Sequence, residues 1–221
     1  MNNFTGYNPS QVEALFDQVQ QSANKVSQTI VDEIQSGIIS PISQALFTPE
    51  GVEFFQQFKT VVANTADEIE AAFNSFNESL ATAANNWADN VKGEHISARH
   101  VQDISLDIDI SPIQTNQNGN YGIIEEDAKR VANNLESVRT SITGKLTNIG
   151  LELEASSAFM GHEQASAVIG CFGRVIQAIT RVFDFLTTGD NSLMNSINAA
   201  VTKYGSVASN VHTEFNNAAQ Q

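Results

Sequence analysis

Apolar residues recur along this chain at alternating intervals of three and four, in long runs broken at few places. Val12, Leu15, Phe16, Val19, Ala23, Val26, Ile30 and Ile34 lie on one stripe of a helix that Asn8 caps and Pro9 begins. Gly37 and Pro41 are expected to end or bend it. Thr48 as a cap and Pro49 at the first helical position start a second helix, from about 50 to 92, on the order of 60 Å long. Its stripe holds Phe55, Phe58, Val62, Ile69, Phe73, Phe76, Leu80, Ala84, Trp87 and Val91. An aromatic stripe at this spacing predicts core or partner contact rather than a ligand track.

From Gly93 to Gly122 the helical period is lost. Ile104, Leu106, Ile108 and Ile110 alternate with Ser105, Asp107 and Asp109, which predicts a short strand before Ser111-Pro112, and Asn118-Gly119 signals a turn. Helical spacing resumes through Ala128, Val131, Leu135, Val138, Ile142, Leu146, Ile149 and Leu153, opened by Glu125, Glu126 and Asp127, where negative charge complements the helix dipole. SAFMGHEQASA interrupts it. A fourth helix follows with Val168, Phe172, Val175, Ile176, Ile179, Val182, Phe183 and Leu186, breaks at residues 187–191, and continues its stripe through Ile197, Val201, Tyr204, Val211 and Phe215.

The two halves repeat. A shift of about 119 residues places Phe16 on Leu135, Val19 on Val138, Ile30 on Ile149 and Ile34 on Leu153. The expected architecture is all-α: a hairpin over residues 8–93, a linker over 94–122 with a short extended segment, and a hairpin over 123–217, together forming a four-helix bundle. In the second tip Phe159 and Gly161 flank a single residue. An αα-hairpin must reverse within a few residues, where glycine relieves the backbone and an aromatic ring covers helix ends.

Composition narrows the function. With 25 Asp plus Glu against 11 Lys plus Arg, the formal charge of -14 repels nucleic acid and anionic lipid. Charged residues are only 16% of the total, so Asn, Gln, Ser and Thr must build much of the polar surface. Up to His95 there are 12 acids and 3 bases, against 10 and 7 from Gly122 onward, so a basic partner would meet the first half. Cys171 is the sole cysteine and lies in an apolar run, which predicts a buried small hydrophobe and no disulfide. MNNFTGYNPSQ carries no basic region followed by an apolar one, so no cleavable secretory signal is expected.

Candidate chemistry is sparse. His95, His100, His162 and His212 are scattered, without a ligand partner at helical spacing, and the acidic alternation near Asp107 lacks the glycine and terminal glutamate of an EF-hand loop. No nucleophile elbow, phosphate loop or dinucleotide fingerprint occurs. The expectation is a non-enzymatic protein without metal or cofactor. The apolar window 165–186 contains Arg174, Arg181 and Asp184 and is expected to be a core helix, with membrane action as a minor alternative.

Two low-charge hairpins with an aromatic-x-Gly tip, Phe159-Met160-Gly161, resemble the WXG-type family of type VII secretion substrates, with Phe in place of Trp. Phe47 and Gly51 occupy the corresponding first tip. The resemblance implies a tandem of two hairpins that in the family come from separate partners, export without a cleavable signal, and contacts with other helical hairpins, a second copy or the secretion machinery. It also implies a Tyr-x-x-x-acidic export signal, a spacing held by Tyr121 and Glu125. The competing reading is a structural or adaptor coiled-coil bundle of a phage or cell-envelope assembly.

Overall fold

Asn8 begins the chain's first helix as the pattern requires: its backbone carbonyl and side-chain Oδ1 both accept from the Gln11 amide, and Pro9 follows. A computed structural model describes residues 8–157 and 162–218. Its elements are α1 (Pro9–Ile34), a π-helical turn (Gln35–Ile39), α2 (Ser40–Ile42), β1 (Leu46–Phe47), α3 (Pro49–Val91), β2 (Gly122–Ile123), α4 (Glu125–Ser157), α5 (His162–Thr187) and α6 (Leu193–Ala218). Helix therefore makes up well over half of the described residues, and the fold class is all-α.

Contacts divide the chain into two compact units that do not follow the sequence halves. One comprises Met1–Asp32, Val62–Asp107 and Thr140–Arg181; the other comprises Glu33–Val61, Ile108–Arg139 and Val182–Gln221. α1, α3, α4 and α5 contribute to both, and α6 to the second alone. Each unit therefore draws apolar faces from both halves of the sequence.

In the first unit, α1 supplies Leu15, Val19, Val26 and Ile30, α3 supplies Ile69, Phe73, Phe76 and Leu80, and α4 and α5 supply Ile142, Leu146, Phe172 and Val175, all buried. Phe73 meets Phe172 edge-on, with centroids 5.6 Å apart. Gly150 of α4 lies against the Phe172 ring, where an added Cβ would approach to 3.1 Å. Lys25 of α1 pairs with Glu152 of α4 at 3.0 Å, an exposed contact worth little.

The linker enters this unit as an extended strap and not as a strand. Val101, Ile104, Leu106 and, in the second unit, Ile108 are buried while Gln102, Ser105, Asp107 and Asp109 are exposed, so the alternation was real. The backbone partners differ from a sheet's. Asn85 of α3 accepts from the Ile96 amide (2.8 Å) and donates to its carbonyl (2.9 Å); Gln20 of α1 does the same for Gln102 (2.9 and 3.0 Å). Asn74 Oδ1 accepts from the Val101 amide at 2.7 Å, Asn77 donates to the Arg99 carbonyl, and Ser27 donates to that of Ser105. Side-chain amides thus satisfy backbone groups that would otherwise be stranded against two helices. Asp103 adopts a left-handed φ of 58°, which lets two consecutive residues face outward between Val101 and Ile104.

In the second unit helical geometry continues past Ile34 as far as Ile42. Gln35–Ile39 forms one wide turn, closed by the Ser40 amide on the Gln35 carbonyl, and Pro41 then sits in the first turn of α2, where its missing N–H is tolerated. Gly37 lies so close to Val138 of α4 that a Cβ would reach 2.7 Å from it. Gln35 clasps Asp109 through both its N–H (3.1 Å) and its carbonyl (3.0 Å). The Ser111 hydroxyl and amide hold the Asp109 carboxyl below its ordinary range. Asn118 (φ 53°) and Gly119 (φ 82°) form the expected tight turn, bridged by Gln117 and Asn120 at 2.9 Å in both directions.

The strands lie elsewhere than the pattern predicts. β1 and β2 pair antiparallel with Leu46 opposite Ile123 and Phe47 opposite Gly122, and the Ile124 amide extends the ladder to the Ala45 carbonyl at 2.8 Å. Two residues per strand are too few to show an alternation. Phe54 and Phe58 of α3 stack near Phe185 of α5, at 5.5 and 6.1 Å between centroids, and α6 packs its first turns through Leu193 and Ile197, both fully buried.

Candidate functional site

The first reversal shows how its residues work. Thr48 Oγ1 accepts from the Gly51 amide at 3.0 Å, capping α3, and Pro49 occupies the first helical position. Phe47 is buried in β1. Gly51 is not the turning residue expected from the sequence: it lies inside the first turn of α3, where a Cβ would stand 2.7 Å from Leu46 Cδ2. Its role is close approach. Phe159 and Gly161, the second tip, lie outside the described residues.

Of the aromatic stripe, Phe55, Phe58, Phe73, Phe76 and Phe172 are buried. Trp87 departs from it, at 41% exposed. Beyond Ala84 the buried position is Ala88, so the stripe steps by four where the spacing had suggested three, and the indole turns toward solvent. Val91, at the last turn, is exposed as well.

Cys171 is buried beside the carbonyl of Ala72, 3.5 Å from its sulfur, and burial pushes its thiol up to about 12. It is therefore no nucleophile. Because the folded state holds the thiol protonated, its contribution to stability is complete below the usual thiol range. That contribution is lost as pH rises from about 9 toward 12. A thiol reagent at neutral pH should label native protein only as fast as it opens, and denatured protein at once. Prompt labelling of the native protein would refute this burial.

Tyr121 is 61% exposed and precedes β2, whereas Glu125 opens α4 and pairs with Lys129 at 2.6 Å. The four-residue spacing between them is therefore not a helical one, and the two do not share a helix face. His95 contacts Asp89 at 2.7 Å and His100 contacts Glu78 at 3.6 Å, all at exposed positions. Among the described residues no group of three or more His, Cys, Asp or Glu gathers where it could hold a metal ion.

A groove of about 680 Å³ lies in the first unit beside the strap, lined by Gln20, Asn24, Asp32, Gln102, Asp103 and Asp107. It is open to solvent, and Ser27, Gln28, Val31 and Ser105 complete its lining. α5 contains a stretch, Ser166–Thr187, long and apolar enough to cross a membrane. Its stripe is buried in the core, Arg174 donates to the Ala72 carbonyl at 3.1 Å, and Arg181 pairs with Glu68 of α3.

No family model matches this sequence, and no curated protein or solved structure is similar to it.

Proposed function

We propose that this chain is a tandem WXG-like protein of a type VII secretion pathway, exported itself or carrying another exported protein. In this reading α1 to α3 form one helical hairpin and α4 to α6 the other, and the two hairpins make one four-helix bundle. The supporting observation is that both units use the same helix pairing. In the first, α1 meets α4 through Lys25 and Glu152, and α3 meets α5 through Phe73 and Phe172. In the second, the π turn meets α4 through Gly37 and Val138, and α3 meets α5 through Phe58 and Phe185. Two hairpins related by a sequence repeat would pack equivalent helices together in this way.

The polar surface agrees with a carrier or cargo role: its partners are met by amides and hydroxyls, not by a converging set of reactive groups. The test is secretion. Culture supernatants of cells with and without the pathway's membrane ATPase should differ, the protein being retained in the second. Equal amounts in both would sink export by this route. Tyr121→Ala and Glu125→Ala in the same assay ask whether that pair contributes to the signal.

A further inference from the structure

Asn118-Gly119 is the only asparagine-glycine pair in the chain, and it stands at the tip of an exposed turn of the second unit. Both residues hold positive φ, 53° and 82°, and Gln117 and Asn120 close the turn around them by exchanging backbone hydrogen bonds. Glycine brings no side chain to shield its own nitrogen, and the turn stands clear of its surroundings: an added Cβ at Gly119 would meet nothing within 4 Å. The Asn118 side chain has the length that closes a five-membered ring with the next backbone nitrogen. Such a pair carries a reaction that needs no enzyme.

We propose that Asn118 is a site of spontaneous deamidation, and that Asn116 is the positioning residue that restrains it. Hydroxide or water removes the Gly119 amide proton, and the nitrogen attacks Cγ of Asn118. The N–Cγ bond forms, the Cγ–Nδ2 bond breaks, and Nδ2 takes up a proton to leave as ammonia. The cyclic imide then adds water at either carbonyl and opens to aspartate or to isoaspartate. Nothing is oxidised or reduced, and water is the only co-reactant.

Asn116 acts on the first step. Its Oδ1 accepts from the Gly119 N–H at 3.1 Å, so the attacking nitrogen is engaged with a different side chain until that bond opens. Other asparagines are worse placed. In Asn191-Ser192 the attacking residue carries a Cβ, and its nitrogen donates to the Gly189 carbonyl at 3.2 Å. Asn74-Ser75 and Asn195-Ser196 lie within α3 and α6, where helical bonds hold the backbone. Conversion of Asn118 adds a negative charge, and isoaspartate also lengthens the main chain by a methylene between Gln117 and Asn120. The bridge between those two residues then loses its register, immediately before Tyr121 and β2.

The inference does not rest on export. The full chain is aged at mildly alkaline pH and mapped by peptide mass, with isoaspartate scored by methyl transfer from an isoaspartyl methyltransferase. Asn118 should gain the mass of the acid ahead of every other asparagine, with isoaspartate in the same peptide. Asn116→Ala should speed that conversion about five-fold, the factor carried by one hydrogen bond of about 1 kcal/mol. Asn116→Asp, which keeps an acceptor oxygen, should react no faster than the wild type. In denaturant the wild type and Asn116→Ala should convert at the same rate, because the restraint belongs to the folded turn. An Asn118 that stays intact, or that converts after another asparagine, overturns the site. Equal rates for native wild type and Asn116→Ala, an Asn116→Asp variant as fast as Asn116→Ala, or a difference that persists in denaturant overturns the restraint.

Discussion

Phe73→Ala should lower unfolding free energy by about 3 to 5 kcal/mol, the range for truncating a fully buried aromatic ring. Phe73 is wholly inaccessible and stands edge-on to Phe172, so the variant loses transfer energy and ring contact together and leaves a void beside a second ring. The companion substitution sharpens the test. Trp87→Ala removes a larger side chain from the same helix, yet at 41% exposure it should cost clearly less than Phe73→Ala. Chemical denaturation of both variants decides the matter. Comparable losses would mean that Trp87 belongs to the core after all, and a loss below about 1 kcal/mol for Phe73 would mean that the first unit is not packed around that ring.

The contrast between those two residues shows what the sequence could disclose. Helix identity and the buried face were legible because spacing repeated over many turns: the ends at Asn8-Pro9 and Thr48-Pro49, the break near Gly189 and the turn at Asn118-Gly119 follow from local chemistry alone. The last turns of α3 were not legible, since Trp87 and Ala88 are adjacent and periodicity cannot choose between neighbours. Gly37 and Gly51 look like punctuation in the sequence, and both instead make room for a side chain from another element, Val138 and Leu46. Close approach leaves no mark in sequence beyond the glycine itself. The candidate site suffers from the same limit. Tyr121 and Glu125 match a spacing, but the chain between them is strand and helix start, so the spacing carries no geometry.

The linker shows the converse error, in which the period was right and the partner wrong. Alternation in the Ile104 to Ile110 segment reports one face on apolar surface, and a strand is only one way to achieve it. Here the apolar surface belongs to helices, and Asn and Gln side chains do what neighbouring strands would do. Burial of Val101, Ile104 and Leu106 supplies most of the holding energy, on the order of 1.5 to 3 kcal/mol for each large side chain. The amides fix the register. Replacing Gln20, Asn74 and Asn85 together by Ala removes five hydrogen bonds to the strap backbone. At about 1 kcal/mol each, offset in part by the better helix propensity of Ala, the expected loss is about 2 to 5 kcal/mol. Hydrogen exchange locates it: the amides of Ile96, Val101 and Gln102 should lose protection while those in the middle of α3 keep theirs. Asn77 should contribute less, because its Oδ1 is buried without a hydrogen-bond partner among the described residues and that cost opposes the bond its Nδ2 makes to Arg99. Unchanged protection at those three amides in the triple variant would show that burial alone sets the register of the strap.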